Sequence, residues 1–476
     1  MNIKEQTFNS MKWTSIEKFL VMGVQFIIGV ILARLLQPSD FGTVGMLGLF
    51  VAVSNLFIDG GFSQAIIRKL DRTETDFSTV FYFNFIIALI CYVILFIIAP
   101  WVADFFDIPL LCPILRIQSI NLLLNSLMIV QTAKITINLN FKFLALRSLL
   151  SITVSGVIGI ILAYKGFGVW ALVIQGLLST LISLIITCYY CKWIPKLCFS
   201  FASFKELGSF GSKLLASGVI NTVCSEMTTI VIGKFFSAKD LGFYNRGTSL
   251  ASLPINTYNT VLGRVFFPIM VNFQNEKERL ITVYRKNICM SSIVVFGGCL
   301  LLAANAKPIV LLLFTEKWAS AIIYLQVFVF SAMFDHINTL NLNLLQIQGR
   351  SDLFLKLEII KKSISILFLF AAIPYGVLAI CISKVIYTQI AIVLNTFYTG
   401  KLFNVGYYSQ TKDYLPYFFY AVLASIPAFL LNLYDVNIIV GLTVGIFSFV
   451  VLYYLFLKKD VYFKEMSEII IQRLHI

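Results

Sequence analysis

The chain is built almost end to end from apolar runs of about twenty residues, the length at which a helix crosses the hydrocarbon layer of a bilayer. Fourteen such runs can be read, at about 16–36, 43–67, 77–101, 112–133, 144–164, 167–190, 207–233, 241–271, 287–314, 318–348, 354–373, 375–399, 413–432 and 436–457. The eighth and tenth are polar for spans, and without them the count is twelve. Composition agrees: 59% of residues are hydrophobic and 13% charged, against roughly 25% charged in soluble domains. Mean hydropathy is +0.89. One soluble core cannot bury that much apolar surface, so the expected fold class is an all-α, polytopic membrane protein.

The formal net charge of +14 invites a nucleic-acid partner, but no soluble domain is present to carry a basic stripe. Lys and Arg instead follow the rule that cytoplasmic loops keep positive charge. With both termini cytoplasmic, 27 of the 37 fall in inside segments, six in outside loops and four within spans: Arg116, Arg246, Arg264 and Lys384. The outside loops are short, among them QPSDFG, YKGFG, SAKD and PYG. They leave no folded outer domain for an enzyme acting there, and no Walker loop or dinucleotide fingerprint appears. No enzyme and no cofactor is expected; any drive comes from proton, sodium or substrate gradients. Cys188 and Cys191 form a lone CxxC beside Lys192, with no second pair or histidine to complete a metal set. The start has no small-residue cleavage site of a signal peptide.

Residues 32–42, LARLLQPSDFG, return at an offset of 200 as IGKFFSAKDLG, 232–242. Arg34 matches Lys234, Asp40 matches Asp240 and Gly42 matches Gly242, in the turns after the first and seventh runs. Asp, Phe or Leu, then Gly reads as a turn and N-cap opening the next helix. Six spans separate the copies, so orientation is preserved and the repeats are parallel. The expected domains are an N-lobe of six helices at 1–200, a C-lobe of six at 201–400, and two further helices with a tail at 401–476. Two such lobes imply a central cavity and alternating access.

Ionisable groups at mid-membrane cost about 2.5–3.5 kcal/mol on insertion scales and are functional suspects. They are Asp59 in the second run, Arg116 in the fourth, Glu226 in the seventh, Arg246 and Arg264 with Asn256 and Asn259 in the eighth, Asp335 and His336 in the tenth, and Lys384 in the twelfth. Arg246 and Arg264 stand five turns apart at 3.6 residues per turn, so on a straight helix they share one face, suited to phosphate oxygens. Each group also has a plain reading. Asn and Gln bond across helices, Arg116 snorkels from a span end, Asp59 and Glu226 pair with arginines, and a lone His makes a structural bond.

The stretches LARLLQPSDFG, IDGGFSQAII and the Phe-x-x-Asn of FYFNFIIA, then IGKFFSAKDLGFYNRG, SLPINTYNTVLGRVFFP, EKWASA and QGRSDLFLK, resemble the Wzx-type polysaccharide exporters, nearest to the colanic-acid and teichuronic-acid branch. The likeness weakens beyond the tenth run. It implies the multidrug/oligosaccharidyl-lipid/polysaccharide (MOP) superfamily fold. It also implies a flippase that carries undecaprenyl-pyrophosphate-linked oligosaccharide across the bacterial cytoplasmic membrane for surface polysaccharide synthesis, beside membrane lipids, a polymerase and glycosyltransferases. On this reading Arg246 and Arg264, then Arg116 and Lys384, with Asn256 and Asn259, bind the substrate. Asp59, Glu226, Asp335 and His336 couple ions or hold charge. The rival readings are a cation-coupled drug extruder of the same superfamily and a membrane polymerase or ligase.

Overall fold

The computed structural model describes residues 20–261, 266–434 and 437–474, which are helical with no strand among them. In chain order come α1 (Leu20–Leu35), α2 (Pro38–Arg68), α3 (Glu74–Phe106), α4 (Leu111–Ile137), α5 (Phe141–Tyr164) and α6 (Val169–Cys191). Then follow α7 (Phe201–Phe235) and α8 (Ala238–Val261), α9 (Lys277–Ala304) and α10 (Ala321–Ile347), α11 (Ser351–Ala372), and α12 (Val377–Phe403), α13 (Tyr407–Leu433) and α14 (Ile438–Leu457). A last helix, α15 (Val461–Leu474), ends the description. Eleven described segments are long and apolar enough to cross a membrane, which makes this a multi-pass membrane protein. The other three helices at expected span positions are α1, α8 and α11. The first is short as described, and the others carry too many polar and charged residues. The tenth run, expected to be polar, passes the test.

Two compact units form, residues 1–242 and 243–476. Their boundary is drawn by packing, and it leaves α7 with the first unit. Lys69 at the end of α2 meets Glu206 of α7 at 2.9 Å. Farther along, α2 breaks at Gly60 and Gly61, both left-handed (φ +52° and +74°). A Cβ on Gly61 would stand 2.8 Å from the Gly211 backbone of α7, so only glycine permits this approach.

The repeated turns fold alike. Asp40 accepts the Gln37 N–H at 2.9 Å, closing a capping box on α2, and Asp240 accepts the Ser237 hydroxyl at 2.6 Å at the start of α8. The aspartate is thus the third helical residue, and the N-cap is the residue three before it. The turns also touch each other. A Cβ on Gly42 would collide with the Ala238 carbonyl, and one on Gly242 with the Pro38 carbonyl. At an offset of 200 these two contacts are the same contact, made twice.

In the second unit, α10, α12 and α13 are joined by buried amides. Asn341 donates to Gln410 at 2.8 Å, Thr399 donates to Asn341 at 2.8 Å, and Gln410 donates to the Val405 carbonyl at 2.9 Å. Asn395 donates to Asn338 at 2.8 Å. These are the cross-helix bonds expected of such side chains where water is absent.

Candidate functional site

In the first unit, Asp59 is the last residue of the helical segment before the Gly60–Gly61 break. Its Oδ1 accepts the Ser63 N–H at 3.3 Å and the Ser63 hydroxyl. The carboxylate therefore restarts the helix that the glycines interrupt. Glu226, on α7, lies against α2, its Oε2 3.7 Å from the position of a Cβ on Gly48. Neither acid makes an ion pair among the described residues.

Arg116, at the start of α4, donates from Nε to the Phe96 carbonyl at 3.2 Å, and its guanidinium lies 4.3 Å above the Phe96 ring. The bond has a local cause. Pro100 lies within α3, four residues after Phe96, and a proline has no N–H to give to that carbonyl. Arg116 supplies the missing donor.

In the second unit, Arg246 on α8 lies over two rings, 5.0 Å from the Phe314 centroid and 5.4 Å from that of the fully buried Trp318. Such stacking fixes a guanidinium while leaving its edge N–H groups directional. Arg264 lies outside the described residues, so its face relative to Arg246 is not part of the structure. Asn256 and Asn259 fall on α8, with side chains outside the description.

Asp335 and His336 follow a break in α10 between Ala332 and Asp335. His336 is 1% exposed. Its Nδ1 lies 2.7 Å from the Met333 carbonyl and its Nε2 3.1 Å from the Ser292 hydroxyl. A carbonyl only accepts, so Nδ1 donates to it and the serine donates to Nε2 of a neutral ring. Both nitrogens are therefore in structural bonds, the plain reading of this histidine. Asp335 feels the charges of Lys384 and Lys361. Lys384 stands 4.4 Å over the Phe328 ring, and Lys361, 6% exposed, pairs with Glu358 at 2.5 Å. The elements α10, α11 and α12 thus share a cluster of two acids and two bases.

Sequence reasoning missed part of this. The charge count puts Lys361 with the inside cations and does not touch Glu358, yet Lys361 is ten residues into α11, about 15 Å at 1.5 Å per residue. Their i, i+3 spacing was the available signal. Asn84, the last residue of the Phe-x-x-Asn stretch, was passed over as well. It is fully buried within α3, and neither amide atom has a hydrogen-bond partner among the described residues. No set of metal ligands forms among the described residues.

Comparison with known proteins places the fold. The chain is similar to the succinoglycan biosynthesis transport protein ExoT of Rhizobium meliloti, 26% identical over 67% of this chain and 65% of that one. It is similar to the lipopolysaccharide biosynthesis protein WzxC of Escherichia coli, 24% identical over 83% of this chain and 80% of that one. Among solved structures it matches the lipid II flippase MurJ in an inward closed conformation, with TM-score 0.76, 13% identity and coverage of 95% of this chain and 99% of that chain. It also matches an inward-facing multidrug resistance MATE transporter of the MOP superfamily, with TM-score 0.61, 16% identity and coverage of 83% and 98%. The fold is thus that of MOP-superfamily transporters, and the relatives are named for transport and biosynthesis, not for catalysis. The description "polysaccharide biosynthesis protein" matches residues 31–323, more than half of the sequence, and the chain belongs to that family.

Proposed function

We propose that this protein is a flippase that moves an undecaprenyl-pyrophosphate-linked oligosaccharide from the inner to the outer leaflet of a bacterial cytoplasmic membrane, by alternating access of its two lobes. The observation that carries the reading is the presence of cations within both units of a fold shared with a lipid II flippase, in a polysaccharide biosynthesis family. Pyrophosphate calls for fixed positive charge, sugars for amides, and a polyprenyl tail for apolar walls. Arg246 and Arg264, with Asn256 and Asn259, are the proposed headgroup ligands, and Lys384 extends the set. Arg116 takes a lesser place, because the Phe96 carbonyl already accounts for it. Asp335, in the field of Lys384 and Lys361, is the proposed coupling acid, with Asp59 and Glu226 as charge-holding groups. Both termini are assigned to the cytoplasm, where a polymerase and glycosyltransferases would be neighbours in the same assembly line. A drug extruder shares the fold, but cationic drugs favour an acidic cavity.

The test is to delete the protein from a strain without a redundant flippase and follow lipid-linked oligosaccharide with a probe that reaches only the outer leaflet. Accumulation on the inner side is expected. Unchanged appearance at the outer leaflet would remove the reading.

A further inference from the structure

We propose that a second site, at the basic end of the first unit, binds the phosphate of a lipid headgroup, with Lys134, Arg72 and Lys192 as its donors. The proposal stands apart from the transport reading, since it concerns one end of one unit.

The site is a cavity of about 440 Å³ where α3 begins and α4 and α6 end, lined by Arg72, Phe77, Lys134, Asn138, Lys192 and Trp193. Its size falls within the roughly 300–1,000 Å³ of small-ligand sites and exceeds what a bare ion needs. Lys134 is fixed in place. Its Nζ lies 2.8 Å from Glu74 Oε1, 4.4 Å over the Phe77 ring and 4.6 Å over the Trp193 ring. The other oxygen of Glu74 accepts the Trp193 indole N–H at 2.7 Å. An ammonium has three N–H groups and Glu74 takes one, so donors remain. Arg72 gives Nη1 to the Ile66 and Ile67 carbonyls; its other N–H groups have no acceptor among the described residues. Lys192 caps α6 in a left-handed conformation (φ +46°), and that turn sets its exposed side chain at the rim.

Three cations therefore line the cavity, and the carboxylate held on Lys134, Glu74, is already engaged by that ammonium and an indole. The cavity keeps an excess of positive charge, which calls for an anion, and converging N–H donors suit phosphate oxygens. The surroundings indicate the source. Tyr189, Ile194 and Leu197 are 80%, 82% and 97% exposed, and this end of the bundle also holds Arg68, Lys196 and Lys69, the last paired with Asp76 and Glu206. Exposed aromatic and apolar groups interleaved with Lys and Arg mark headgroup depth. A phosphate arriving there is carried by a lipid. Cys191 lines the same cavity, so the CxxC with no metal partner is part of its wall.

Native mass spectrometry of the purified full-length chain tests this, with dioleoyl phosphatidic acid as probe and dioleoylglycerol as the phosphate-free control. Phosphatidic acid is expected to bind in preference, and Lys134→Gln with Lys192→Gln to weaken it about tenfold. Glu74→Gln removes the competing charge and is expected to tighten binding about threefold, a gain that a misfolded variant does not give. Lys165→Gln, at the opposite end, should change nothing. Equal binding of both lipids, or no effect of the cavity variants, would overturn the site. Inorganic pyrophosphate that binds as tightly as phosphatidic acid would overturn its lipid source.

Discussion

A helix that loses an N–H to proline has a carbonyl to satisfy four residues earlier, and in a bilayer no water supplies the bond. Arg116 takes that role for Phe96, with a guanidinium in place of an amide. Arg116→Ala is therefore expected to destabilise the protein by about 1–3 kcal/mol, read as a lower melting temperature in detergent. In a Pro100→Ala background the helix regains its own donor, and the same substitution should cost less than half as much. Equal costs in both backgrounds would remove the link between the two residues. The sequence showed Arg116 as an intramembrane charge but could not show why it is there, because its partner is a backbone atom on another helix. His336 reads in the sequence either as a coupling group or as a structural bond, and in the folded chain its two ring nitrogens meet the Met333 carbonyl and the Ser292 hydroxyl.

The helices were largely legible, because hydropathy depends on composition alone. Breaks and depths were not, since they depend on neighbours. The Asp59–Gly60–Gly61 triplet reads as an acid within a span. In the folded chain it is a helix stop, a close approach to Gly211 and a restart capped by the same acid. The eleventh run, 354–373, takes in Lys361 although the charge count leaves that lysine on the inside, and in the folded chain it is buried within α11 beside Glu358. At the other end of the first unit, Lys69 ties α2 to α7. Its hydrogen bond to Glu206 raises its pKa above the ordinary 10.5. A raised lysine stabilises the fold fully below the unfolded value and loses that contribution as pH rises through the folded value. A melting curve taken against pH should therefore fall above about 10.5. Lys69→Gln should flatten that fall, and an unchanged slope would assign it to other groups.

For the molecule as a whole, the transport reading makes separable demands. Arg264→Ala and Arg246→Ala should impair export at least tenfold while membrane insertion, read by protease accessibility of the loops, stays intact. Full export in both would take the arginines out of the substrate site. Asp335→Asn should reduce export and flatten its dependence on the ion gradient; reduced export with an unchanged gradient dependence would assign Asp335 to charge balance alone. The overall class was legible from the fourteen runs. The lobe boundary differs by criterion, because repetition divides the chain at 200 and packing divides it at 242.

Those two criteria meet in the turns at 38–42 and 238–242. Gly42 presses on Ala238 and Gly242 on Pro38, so adding one methyl to either is expected to destabilise the protein by about 1–3 kcal/mol, measured as lost thermal stability. A surface that meets a copy of itself is the kind of contact identical subunits make across a twofold axis. A half-length ancestor would have made it only as a dimer, at the mercy of its own concentration. Joining the halves in one chain makes the association intramolecular, with an effective concentration set by the linker rather than by expression. If the halves arose by duplication, the matched glycines are what such a subunit interface would leave inside a single polypeptide.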